Sequence, residues 1–121
     1  MSDELNGRAI LLVEDEFLVL MDLQMILEDA GAEVITAETV SAALRVAGNG
    51  HDFAAAVLDV RLPDGEVFPV ADALRERGVP IVFHSGHARI DEVRSQYPEA
   101  IALPKPAPEA ALLSAVSGIV R

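Results

Sequence analysis

Short apolar runs and longer helix-patterned stretches alternate five times along this chain. That alternation constrains the fold more than any other feature, because successive βα units build a parallel sheet with helices on both faces. Ala9–Val13 is a continuous apolar run, as expected of a strand covered on both sides. A Leu- and Met-rich helix follows over 16–30 and stops at Gly31. Glu33–Ala37 reads as the second strand. Val40, Ala43, Leu44 and Ala47 then recur at the spacing of one helix face, with Thr39 as N-cap. Residues 54–58 form a third apolar strand ending at Asp59, followed by the turn Leu62-Pro63-Asp64-Gly65. Val67, Val70, Ala71 and Leu74 mark the third helix, whose Pro69 is tolerable only in the first turn. Residues 80–83 are the fourth strand. The helix expected over 88–97 is poor, with only Ile90, Val93 and Tyr97 apolar. Residues 100–103 are the fifth strand, 104–108 a proline-rich break, and 109–120 the last helix.

These units predict an α/β fold, a doubly wound five-stranded parallel sheet in the order 2-1-3-4-5, of the flavodoxin-like type. Residues 1–121 read as one domain, with no linker, no low-complexity segment and no output domain. Hydrophobic residues make up 51% of the chain, enough for a real core. Twenty acids against nine bases give a net charge of −11, which disfavours nucleic acid and anionic membrane surfaces as partners. Cysteine is absent, which excludes a disulfide framework, a thiolate zinc site and a cysteine nucleophile. Residues 1–8 are polar and acidic, unlike a signal peptide. No apolar stretch reaches the ~18 residues of a membrane helix. A cytoplasmic domain is the expectation.

In open parallel sheets, sites lie beyond the carboxyl ends of the strands. There the chain carries Glu14-Asp15-Glu16 after strand 1, Asp59 after strand 3, His84-Ser85-Gly86-His87 after strand 4 and Pro104-Lys105-Pro106 after strand 5. Strands 1 and 3 should be neighbours, so Glu14, Asp15 and Asp59 should share a cleft with Ser85 and Lys105 on its rim. Crowded carboxylates repel, and a hard cation relieves the repulsion. Mg²⁺ takes carboxylates, waters and phosphate oxygens. Lys105 and Ser85 could hold two oxygens of a phosphoryl group and the metal a third, with a carboxylate as nucleophile. Lys105 is the only lysine, among eight arginines, which suggests a place that arginine cannot fill. Glu14-Asp15 taken alone equally suits a helix cap. His84 and His87 lack a third ligand and do not read as a zinc site. His51 reads as a surface residue. The Leu, Ile and Met residues at 18, 20, 21, 23, 25, 26 and 27 read as core, although that helix is more apolar than one buried face requires, which keeps a weak homodimer open beside a monomer.

At this point the chain resembles a known family. Residues 10–16, 56–65, 80–86 and 103–106 are similar to the corresponding stretches of response-regulator receiver domains of the chemotaxis-regulator type. The resemblance implies that Asp59 accepts a phosphoryl group from the phosphohistidine of a sensor histidine kinase or a phosphotransfer protein. It implies Mg²⁺ as cofactor, held by Glu14, Asp15, Asp59 and the backbone carbonyl of Arg61. Ser85 would be the switch hydroxyl and Lys105 the phosphate-binding lysine, with a cis peptide at Lys105–Pro106. Three departures bear on signal output. Ala102 stands where the family usually carries Tyr or Phe. The loop His84-Ser85-Gly86-His87 resembles a divergent group of single-domain regulators, and Pro104 before the lysine is also seen there.

The function expected is therefore that of a stand-alone response regulator in two-component signal transduction, not an enzyme acting on a small molecule. It would signal by a phosphorylation-dependent change or serve as a phosphate relay or sink. A downstream protein partner would meet helix 88–97, strand 5 and the last helix. The alternative is a degenerate receiver that binds proteins without being phosphorylated, and retention of the five site residues speaks against it. An FMN-binding flavodoxin is disfavoured because Glu14-Asp15-Glu16 would repel the FMN phosphate.

Overall fold

The apolar run near the start of the chain becomes a strand inside the sheet, hydrogen-bonded on both edges. The computed structural model describes residues 4–121; Met1, Ser2 and Asp3, the start of the polar stretch 1–8, lie outside them. In chain order the first elements are β1 (Ala9–Val13), α1 (Phe17–Asp29), β2 (Glu33–Ala37), α2 (Val40–Gly48) and β3 (Ala55–Leu58). Then come β4 (Arg61–Leu62), β5 (Gly65–Glu66), α3 (Phe68–Glu76), β6 (Ile81–Ser85), α4 (His87–Gln96), β7 (Ile101–Pro104) and α5 (Glu109–Ile119). The main sheet runs β2-β1-β3-β6-β7, with every pair parallel. Counting only its own strands, this is the expected order 2-1-3-4-5.

Successive strand side chains point to opposite faces, so the same strands fill two cores. Leu11 and Val13 of β1 and Ala56 and Leu58 of β3 join the core closed by α2, α3 and α4. Ile10, Leu12, Ala55 and Val57 join the one closed by α1 and α5. Burial on both faces explains why these strands are uniformly apolar. Truncating a fully buried residue such as Leu58 to alanine would cost about 2–5 kcal/mol. Among the described residues no helix is long and apolar enough to cross a membrane.

The start of α2 is closed twice. Thr39 Oγ1 accepts from the Ala42 N–H at 3.0 Å, as its position in the sequence suggests. Asp64 then reaches in from the turn after β4 and accepts from the N–H groups of Val40 and Ser41, at 2.8 and 3.0 Å. These bonds hold the Asp64 carboxyl below its ordinary pKa.

Three expectations need correction. The fourth strand does not end at Phe83; it continues through His84 and Ser85, which pair in register with Leu103 and Pro104. Helix α4 starts at once from His87, with Gly86 as N-cap. The expected turn at 62–65 is present, and it joins the two-residue antiparallel strands β4 and β5. Leu18, Met21 and Met25 are not core. They are 80%, 43% and 59% exposed, whereas Leu20, Leu23, Ile26 and Leu27 are buried. The helix is apolar nearly all round, and the sheet can cover only one of its faces.

Candidate functional site

The parallel pairing of β1 and β3 brings their carboxyl ends together. Val13 is in register with Leu58, and the Asp59 N–H donates to the Val13 carbonyl at 2.9 Å. Glu14 and Asp59 therefore leave the sheet side by side. One carboxylate oxygen from each of Glu14, Asp15 and Asp59 lies within 4.8 Å of the others. Lys105 arrives from the other side. Its N–H donates to the Ser85 carbonyl at 2.8 Å, which continues the β6–β7 pairing past Pro104, and its peptide bond to Pro106 is cis. Its ammonium lies 2.9 Å from Asp59 Oδ2, 2.9 Å from Glu14 Oε1 and 3.4 Å from Glu16 Oε1.

These carboxylates are not equivalent. Asp59 Oδ1 accepts from the Val60 N–H at 2.8 Å, while Oδ2 takes the lysine. Glu14 Oε2 accepts from the N–H groups of Asp15 and Glu16, both at 3.1 Å. Glu14 Oε1 is buried and, among the described residues, has no hydrogen bond directed at it, only the Lys105 charge alongside. Burial, with the negative Asp59 adding to it, pushes the Glu14 carboxyl up to about 7 against the opposing pull of Lys105 and the Glu16 N–H. Burial pulls the Lys105 ammonium down, but Asp59 and Glu14 outweigh it and hold its pKa above the ordinary lysine value. A cluster with three carboxylates and a single ammonium, in which the buried Glu14 Oε1 meets only that ammonium among the described residues, fits a hard divalent cation, which prefers oxygen ligands of this kind.

The cleft above the cluster has a volume of about 540 Å³. Asp15, Asp59, Arg61, Ser85 and Lys105 line it, while the buried Glu14 does not line it and joins the group through the carboxylate cluster and Lys105. Ser85 is buried at the end of β6. His84, next to it, turns away from any zinc arrangement: its Nε2 accepts from the Ala107 N–H at 3.3 Å. Burial first, then the Lys105 charge, lowers the His84 pKa, with Asp59 opposing. His51 is exposed, as expected. Sequence reasoning missed Arg89, which lines the same cleft. The available signal was its place four residues after Ser85, one turn into the helix that begins at the site.

A parallel α/β domain with an acidic cleft at its sheet switch point, closed by a lysine just past the last strand, defines the class. The match to the response regulator receiver domain family covers residues 10–117, and the chain belongs to that family. It is 43% identical over 72 residues to the photosynthetic apparatus regulatory protein RegA of Rhodobacter capsulatus, a stretch that is 60% of this chain and 39% of RegA. It is 30% identical over 113 residues to the sensor protein TorS of Escherichia coli K12, covering 89% of this chain and 12% of TorS. The chain thus spans well under half the length of either relative. A response regulator receiver protein from Sinorhizobium medicae WSM419 superposes with a TM-score of 0.86 at 33% identity, over 93% of this chain and 94% of the other. The receiver domain of a sensor histidine kinase from Pseudomonas aeruginosa PAO1, whose structure has a magnesium ion coordinated in its active site cleft, gives 0.76 at 25% identity, over 93% and 98% of the two chains.

Proposed function

We propose that Asp59 is the phosphoryl acceptor of this domain, in a magnesium-dependent reaction with the phosphohistidine of a sensor histidine kinase or phosphotransfer protein. The observation that carries this reading is the Asp59 carboxylate, buried at a strand end and bonded at 2.9 Å to the only lysine in the chain. Mg²⁺ bound by Glu14, Asp15, Asp59 and the Arg61 carbonyl would supply the positive charge that lets an anionic donor approach the carboxylates. An Asp59 oxygen attacks phosphorus as the bond from phosphorus to the donor imidazole nitrogen breaks, and the nitrogen keeps the electron pair. Lys105 exchanges part of its contact with Asp59 for a phosphoryl oxygen and holds charge there in the transition state. The Ser85 hydroxyl donates to another phosphoryl oxygen.

The product carries roughly −1.5 to −2 additional charge and three strong acceptor oxygens. Drawing Ser85 toward it moves the start of α4, so the proposed output surface is α4, β7 and α5. The adaptor reading, in which the domain is never phosphorylated, has no use for an acidic cluster closed by a lysine.

Incubation with acetyl phosphate and Mg²⁺, followed by intact-mass measurement, tests this. One phosphoryl group should add to the wild type, none without a divalent ion, and none to Asp59→Asn. An undiminished mass gain in Asp59→Asn would remove Asp59 from the reaction.

A further inference from the structure

Arg89 lines the cleft beside Asp59, Ser85 and Lys105. Two carboxylates hold its guanidinium: Glu66 on β5, and Glu92 at 2.7 Å one turn further along α4. Both contacts fall on the same nitrogen, Nη2. Nε is buried and has no acceptor among the described residues. A guanidinium carries five N–H donors in a fixed fork, so this one is underused, and its idle donor lies in a residue that borders a pocket built for phosphoryl oxygens. Glu66 and Glu92 are themselves 48% and 43% exposed, so their hold is that of solvated surface ion pairs, which are weak and salt-sensitive. A phosphoryl dianion is a stronger partner for a guanidinium than an exposed carboxylate.

We propose that Arg89 is a second cationic ligand of the phosphoryl group, alongside Lys105. It engages a phosphoryl oxygen through Nε and releases Glu66, which unfastens α4 from the β4–β5 hairpin. The inference rests on Asp59 being the acceptor. It gives this chain a link from acceptor to α4 that does not need an aromatic residue at position 102, where Ala102 stands.

The test is the rate of mass gain with acetyl phosphate at varied concentration in Mg²⁺, comparing wild type, Arg89→Gln, Arg89→Lys and Glu66→Gln. Acetyl phosphate reacts by attack of the Asp59 oxygen on phosphorus, and acetate leaves with the electron pair. Arg89→Gln should be about tenfold slower or more, mainly through weaker donor binding, as expected for loss of a charge-assisted hydrogen bond. Arg89→Lys should recover part of the rate. Glu66→Gln removes the competitor and should react as fast as the wild type or up to about fivefold faster. Opposite responses at 89 and 66 are the signature, because a merely structural latch is broken equally from either side. If both variants slow together, or if Arg89→Gln and Arg89→Lys match the wild type, the inference is overturned while the acceptor assignment stands. If the wild type gains no mass, both are overturned.

Discussion

The Tyr97 hydroxyl donates to Asp72 Oδ1 at 2.7 Å and so ties the carboxyl end of α4 to α3. The ring adds to the tie, with centroids 5.8 Å from Phe68 and 5.3 Å from Phe83 and the Arg75 guanidinium 4.8 Å above it. The amino end of α4 is held more weakly, by the ion pair of Arg89 with the half-exposed Glu66 on the β4–β5 hairpin. The N-cap of the helix is Gly86, which makes no side-chain capping bond, and its buried residues are only Ile90 and Val93. One end of the helix is anchored and the other rests on the site.

Hydrogen exchange should reflect that asymmetry. With Mg²⁺ and beryllofluoride, a mimic of the phosphorylated carboxylate, the largest change is expected from Ser85 through the first turns of α4, while the end at Tyr97 keeps its protection. Elements of low local stability are the ones that move. Unchanged protection at the start of α4, with a response on another face of the domain, would contradict this account of output.

Lys105→Arg should fold and bind Mg²⁺, yet lose most of the exchange response. The ammonium sits 2.9 Å from both Asp59 and Glu14, a position for a compact point charge. A planar guanidinium would crowd the same space. A full response in this variant would show that the lysine has no special role.

The lifetime of the phosphorylated form should depend on Arg61, whose residue lines the cleft. His87, two residues beyond Ser85, is the exposed first residue of α4 and is not among the residues lining the cleft that a hydrolytic water must enter. Arg61→Asn should therefore shorten the aspartyl-phosphate lifetime, whereas His87→Ala should leave it within about twofold, as for most surface substitutions. Decay no faster in Arg61→Asn than in the wild type would show that Arg61 does not screen the water.

Acid should destabilise the fold partly through His84. Its folded pKa lies below the ordinary value of 6.5, so the unfolded chain takes up a proton first as pH falls. The contribution is complete above pH 6.5 and is lost as pH drops through the folded pKa. His84→Gln should flatten the dependence of denaturation midpoint on pH just below 6.5; an unchanged slope would assign it to other groups.

What could be read in advance was what depends on neighbours in sequence. The runs at β1 and β3, the stop at Gly31 and the cap at Thr39 are local signals, and they placed the strand ends closely enough to gather Glu14, Asp59, Ser85 and Lys105. What escaped is decided by partners far along the chain. Asp64 caps a helix that begins 24 residues earlier. Glu66 meets Arg89, 23 residues away. His84 and Ser85 are polar, yet they stay in a strand because Leu103 and Pro104 pair with them. Helix α1 carries apolar residues on every side, and such a helix does not announce which side the sheet will cover.

Asp64 and Glu66 stand two residues apart on one short hairpin, yet the first grips α2 and the second α4. The segment that follows the acceptor aspartate is therefore a crossbeam resting on two posts rather than a tether. When Arg89 lets go, the beam becomes a cantilever hung from α2 alone, and whatever stiffness remains is set by the Asp64 joint. A substitution at the amino end of α2, outside the proposed output surface, would then retune how firmly the acceptor loop is carried.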